Sequence, residues 1–171
     1  MTKCKVCRTP FVKYRMTQKV CSPECAVEFA KTERERKERN ELRTRKEATK
    51  SKAKWLQEAQ DAFNAYIRER DRNLPCISCG RFHQGQYHAG HYRTVKAASG
   101  LRFSELNVHK QCAPCNNNLS GNIVEYRINL IKKIGLEKVE WLESFNELVR
   151  YTIEDAKMIK AEYKAKLKEL K

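Results

Sequence analysis

The chain has 171 residues, 36 of them Lys or Arg and 21 Asp or Glu, leaving a formal charge of +15 and a pI of about 9.6. That length allows one ordinary domain plus a small module, and no apolar run reaches the ~18 residues a membrane span needs. The start, Met1-Thr2-Lys3-Cys4-Lys5, lacks a secretory apolar stretch and points to the cytosol. A surface this basic calls for an anionic partner, nucleic acid first.

Residues 1–30 form the first predicted unit, built on Cys4-x2-Cys7-x13-Cys21-x3-Cys25. In a reducing compartment such close pairs read as zinc knuckles, because two intervening residues let one turn aim both sulfurs at a tetrahedral ion. Val6, Phe11, Val12, Tyr14 and Val20 supply too little apolar surface for folding without the metal. From Cys25 to Leu74-Pro75 neither Gly nor Pro occurs. Residues 31–54 are almost wholly polar and read as a basic helical linker, with Glu33–Lys37, Glu35–Arg39 and Glu41–Arg45 as stabilising pairs four apart. The absence of apolar residues between Ala30 and Leu42 excludes a coiled-coil seam there. Thr49-Lys50-Ser51-Lys52 is the expected interruption.

Residues 55–171 form the main predicted domain. Trp55, Ala59, Phe63 and Tyr66/Ile67 share one helical face that must dock on a core. The second quartet, Cys76-x2-Cys79-x32-Cys112-x2-Cys115, follows at once and implies a second structural zinc; His83, close by, is able to replace a thiolate, but beside a full set of sulfurs it reads as a surface residue. Helices are expected over 122–134, 136–150 and 152–170, the last opened by a capping box of Thr152 and Asp155. Lys157, Lys160, Lys164, Lys168 and Lys171 form a lysine stripe on that helix. The expected fold class is α+β, mostly helical.

The 32 residues between Cys79 and Cys112 hold the unusual content, with three of the four histidines between residues 88 and 109. A zinc that clips both ends of a hairpin-plus-helix unit would set a histidine of the first strand opposite the start of the helix. There the strand and a polar helix residue can share a divalent cation, and the histidine can deprotonate a water. An imidazole with an ordinary pKa near 6.5 suits that task. A zinc saturated by four thiolates does not.

The arrangement His91 … Asn107 … Cys112-x2-Cys115-Asn116 resembles the HNH (ββα-metal) nucleases. The stretches 63–80, AGHYRT (89–94), LRF (101–103), NVHKQCAPCN (107–116), SGN (120–122) and 159–170 resemble the NinG (Rap) recombination-protein family of lambdoid phages. The knuckle frame with its trailing Asn is also similar to phage endonuclease VII. The resemblance implies an endonuclease that cuts branched recombination intermediates such as Holliday junctions and D-loops. His91 matches the general base, Asn107 the bracing Asn, and Asn116 the helix-borne ligand of a catalytic Mg²⁺ or Mn²⁺. Many relatives carry Asp before the base where this chain has Gly90, so His88 becomes the candidate second ligand, with Asn118 and Asn122 behind it. His109 reads either as a phosphate contact or as a strand-face residue. Arg93, Arg102 and Lys110 are candidate DNA contacts. The resemblance further implies branched double-stranded DNA and phage recombination proteins as partners, a homodimer to cut a symmetric junction, and residence in the host cytoplasm. The competing readings are a non-catalytic zinc-ribbon recombination mediator with an eroded site, which Gly90 favours, and an RNA-directed protein.

Overall fold

In the computed structural model, which describes residues 1–171, the chain divides between Lys50 and Ser51 into two units. In the first, a two-stranded antiparallel ribbon pairs β1 (Thr2–Lys3) with β2 (Pro10–Phe11). Between them the chain turns so that Arg8 N–H reaches the Cys4 carbonyl at 3.1 Å and Cys4 N–H the Thr9 carbonyl at 3.0 Å. Arg8 sits in the left-handed region at φ 61° to close that turn. Helix α1 (Pro23–Ala48) is capped by Ser22, whose hydroxyl accepts from Cys25 N–H, and has Pro23 in its first turn. None of its 26 residues is buried. It is therefore a solvated rod about 39 Å long. Its ion pairs are Arg36–Glu33 and Lys37–Glu41, a different set from the expected pairs.

The second unit opens on α2 (Lys52–Arg70), capped by Ser51, so the predicted interruption falls at Thr49–Ser51. Trp55, Ala59, Ala62, Phe63 and Ile67 make its buried face. That face packs on α5 (Ile153–Glu169), with the Phe63 and Tyr163 rings edge-on at 4.7 Å. The Thr152–Asp155 capping box forms as expected. Between these helices and the pair α3 (Ile123–Ile134) and α4 (Leu136–Ser144) lies the antiparallel ribbon of β3 (Tyr87–His91) and β4 (Val108–Cys112). Its register opposes Tyr87 to Cys112, His88 to Gln111, Gly90 to His109 and His91 to Val108.

Alternation along the strands assigns the two faces. Ala89 and Val108 join the core of α2 and α5 with Phe63, Ile67 and Tyr163. On the opposite side, Tyr126 of α3 donates to the Gly90 carbonyl at 2.9 Å. Tyr126 belongs there to a core with Tyr92, Leu101, Leu130, Val139 and Leu142.

About half of the residues are helical, less than the mostly helical reading expects. The shortfall lies at 145–150, predicted as the end of a helix. Phe145 turns to an extended conformation, and Val149 instead exchanges hydrogen bonds with the Ser99 hydroxyl at 2.9 and 3.2 Å. No helix is long and apolar enough to cross a membrane.

Candidate functional site

The four sulfurs of Cys76, Cys79, Cys112 and Cys115 lie within 4.8 Å of one another, as do those of Cys4, Cys7, Cys21 and Cys25, so each quartet can hold one metal ion. Both knuckles use the same turn. Gly80, at φ 65°, donates to the Cys76 carbonyl at 2.9 Å, and Cys76 N–H reaches the Arg81 carbonyl at 3.0 Å, the pattern that Arg8 closes in the first quartet. Burial and the thiols of Cys115 and Cys76 push Cys112 up to about 12. Burial also opposes ionisation of Cys76, but backbone N–H groups of Cys112, Cys79 and Ser78 hold it below the ordinary thiol value. Four crowded thiols cannot all ionise unaided, and a central cation relieves that conflict. His83 is not an ordinary surface residue: its Nε2 lies 3.2 Å from Cys79 Sγ.

The quartet fixes the ribbon. Cys112 ends β4 and Cys115 sits in the π-helical turn Pro114–Asn118, closed by Leu119 N–H on the Pro114 carbonyl at 3.1 Å. Asn116 rides on that turn, half-buried, its Nδ2 on Asn117 Oδ1 at 2.9 Å. Ser120, Gly121 and Asn122 then all take positive φ. This reversal points the Gly121 carbonyl at the Ser78 hydroxyl and the Gln111 amide, and starts α3 one residue late.

His91 ends β3. Its Nε2 faces the Arg102 carbonyl at 3.0 Å. A carbonyl only accepts, so Nε2 carries the proton and Nδ1 keeps the lone pair. Burial, joined by the Arg102 charge, holds the ring below the ordinary histidine pKa against the pull of that carbonyl, so it is neutral at pH 7.

Asn107 is wholly buried. Its Oδ1 accepts from Arg93 N–H at 2.8 Å, and its Nδ2 donates to the carbonyls of Arg93 at 2.9 Å and Leu101 at 3.2 Å. It thus ties the chain just beyond His91 to the loop that presents the Arg102 carbonyl.

His88 lies on the other face of the ribbon from His91, with Gly90 and Gln111, so the two imidazoles do not converge. Two buried polar atoms on the His88 face, His88 Nε2 and Gln111 Oε1, have no hydrogen-bond partner. Such orphans are rare in folded proteins and fit a missing ligand.

Two expected phosphate contacts, Lys110 and Arg93, hold partners within the fold. Lys110 is only 5% exposed; its ammonium donates to the Arg72 carbonyl at 2.9 Å and lies over the Tyr87 ring at 4.4 Å. Arg93 closes the C-terminal end of α4 by donating to the carbonyls of Leu142 and Glu143. Arg102 lies beside the site, its Nε on Gln60 Oε1 at 2.9 Å. His109 is a strand-face residue within a buried charge cluster that sequence reasoning missed. Its Nε2 donates to the Leu106 carbonyl, and Arg70 and Lys133 donate to its Nδ1 at 2.9 and 3.0 Å. Asp71 completes the cluster, accepting from Arg70, Lys133 and Lys110 N–H. Within the lysine stripe, Lys160 is engaged in a 2.6 Å ion pair with Glu58.

The profile of the family described as Bacteriophage Lambda NinG protein matches residues 1–171. The chain belongs to the NinG family. The protein ninG of Escherichia phage lambda is 48% identical over 96% of this chain and 90% of its own length. Those of Salmonella phage P22 and Escherichia phage 933W are 46% and 45% identical over 96% and 99% of this chain, covering 90% and 93% of theirs. No solved structure matches. Along the NinG-type sequence, the runs HKQC and SGN thus correspond to the buried strand β4 and the reversal before α3.

Proposed function

We propose that this chain is a metal-dependent endonuclease for branched DNA, with His91 as the general base. The observation that carries the reading is the state of His91: neutral, oriented through Nε2 by a backbone carbonyl, with Nδ1 as its only basic nitrogen. His91 Nδ1 takes the proton of an attacking water. Asn107 is a positioning residue that holds the Arg102 carbonyl against the ring by bracing the loop beside it. Asn116 and His88 are the side chains that would hold a Mg²⁺ or Mn²⁺, which supplies charge stabilisation at the scissile phosphate and its leaving oxygen. The two-stranded ribbon leaves the outer edge of β3, the strand that His91 ends, without a further strand. Shape selectivity comes from phosphate contacts of the basic helices with more than one duplex arm, without base readout. A symmetric junction cut on two strands calls for a homodimer.

Purified, zinc-loaded protein with Mg²⁺ or Mn²⁺ should convert a four-way junction into nicked duplexes. Tight junction binding with no cutting in either metal would replace this reading by a non-catalytic recombination mediator. Preference for a matched RNA over the DNA junction would move the substrate class instead.

A further inference from the structure

Gln111 sits in the middle of β4 and is 1% exposed, an unusual place for a long amide. Its orientation is fixed. Nε2 donates to the Ser78 hydroxyl at 2.6 Å and to the Gly121 carbonyl, and because a carbonyl cannot donate, the amide cannot flip. Oε1 is therefore the atom turned away from both, and it is one of the two orphans. The other, His88 Nε2, belongs to its direct cross-strand partner on the same face.

Gly90 explains where the oxygen goes. A Cβ built on residue 90 would lie 2.1 Å from Gln111 Oε1, so any larger residue there would collide with the amide. The oxygen occupies the space that a residue-90 side chain would enter, immediately before His91. Gly90 is thus matched to Gln111, and the absent carboxylate is not a sign of erosion.

We propose that His88 Nε2 and Gln111 Oε1 are inner ligands of one divalent cation of the Mn²⁺/Mg²⁺ class. Gln111 supplies from β4 the oxygen that a carboxylate at position 90 would supply from β3. The assignment takes its use from the nuclease reading, but it is measured without it. With an imidazole and a neutral amide as donors, the site binds Mn²⁺ more tightly than Mg²⁺, because nitrogen ligands favour the transition metal.

The test titrates Mn²⁺ alone into the zinc-loaded full chain and counts free Mn²⁺ by electron paramagnetic resonance. Wild type should take up one Mn²⁺, and His88→Ala and Gln111→Ala should each bind it at least ~10-fold more weakly. Adding Gly90→Asp to Gln111→Ala moves the oxygen donor to the other strand and should restore binding. His88→Ala breaks no hydrogen bond at Nε2, so it reads the site even where Gln111→Ala disturbs the fold, which retention of both zinc ions monitors. No uptake by wild type, or equal affinity in His88→Ala, overturns the proposal and leaves a bridging water as the partner of both orphans. Junction cleavage separates the two claims. Mn²⁺ bound as described with no cutting removes the nuclease and keeps the site. Cutting by wild type with unchanged Mn²⁺ affinity in both variants removes the site and keeps the nuclease.

Discussion

Asn107, itself wholly buried, makes three hydrogen bonds to two backbone segments, so its loss should be felt in stability and in chemistry. Asn107→Ala strands the N–H of Arg93 and two carbonyls, at up to about 1–3 kcal/mol for a group left buried without a partner. The urea midpoint should fall, and in variants that still fold, cleavage should fall with little change in junction binding. A midpoint equal to wild type would show that the brace is idle. His91 makes a different kind of prediction. Its pKa lies below 6.5, so the rate should climb as pH rises through the range below 6.5 and be flat above about pH 7. A rate still climbing between pH 7.5 and 9, with chemistry limiting, would point to another base. The roles expected of His91 and Asn107 were written in the resemblance. The commitments of Lys110 and Arg93 were not, because one basic residue looks like another until its carbonyl partners are known.

At the scale of elements, β4 is the instructive case. Val108-His109-Lys110-Gln111-Cys112 reads as polar, yet all five residues are buried, because helices cover both faces of the ribbon. Hydrophobic alternation cannot reveal such a strand; only the partners of each polar group do. The amphipathic helices α2, α3 and α5 were legible from apolar spacing and caps, and both knuckles from cysteine spacing. The short α4 was not, since residues 145–150 are pulled out by Ser99, far away in sequence. The charge cluster that joins α2, β4 and α3 has its own test. Burial, Lys133 and Arg70 lower the pKa of His109, with Asp71 opposing, so the folded chain binds fewer protons there than the unfolded chain. Its contribution is present above about pH 6.5 and is lost as pH falls toward the depressed value. Under saturating zinc, the urea midpoint should drop between pH 7 and 5.5, and the His109 ring should titrate below 6.5 by NMR. A midpoint rising toward acid pH would contradict this assignment.

For the whole molecule, a charge of +15 is spread over a solvated helix and the unit framed by the second cysteine quartet. Binding to branched DNA should therefore be dominated by phosphate contacts. Junction affinity should fall by at least about a hundredfold between 50 and 200 mM salt, as four or more such contacts imply. A flat response would mean that charge is not what holds the substrate. Cleavage by this chain depends on one imidazole, and one comparison tests it. Wild type and His91→Ala are each bound to saturation on a four-way junction in Mn²⁺ at pH 7.5, and single-turnover cleavage is followed. Equal binding with cleavage slowed at least ~100-fold in His91→Ala is the predicted result; equal cleavage by both proteins would contradict it.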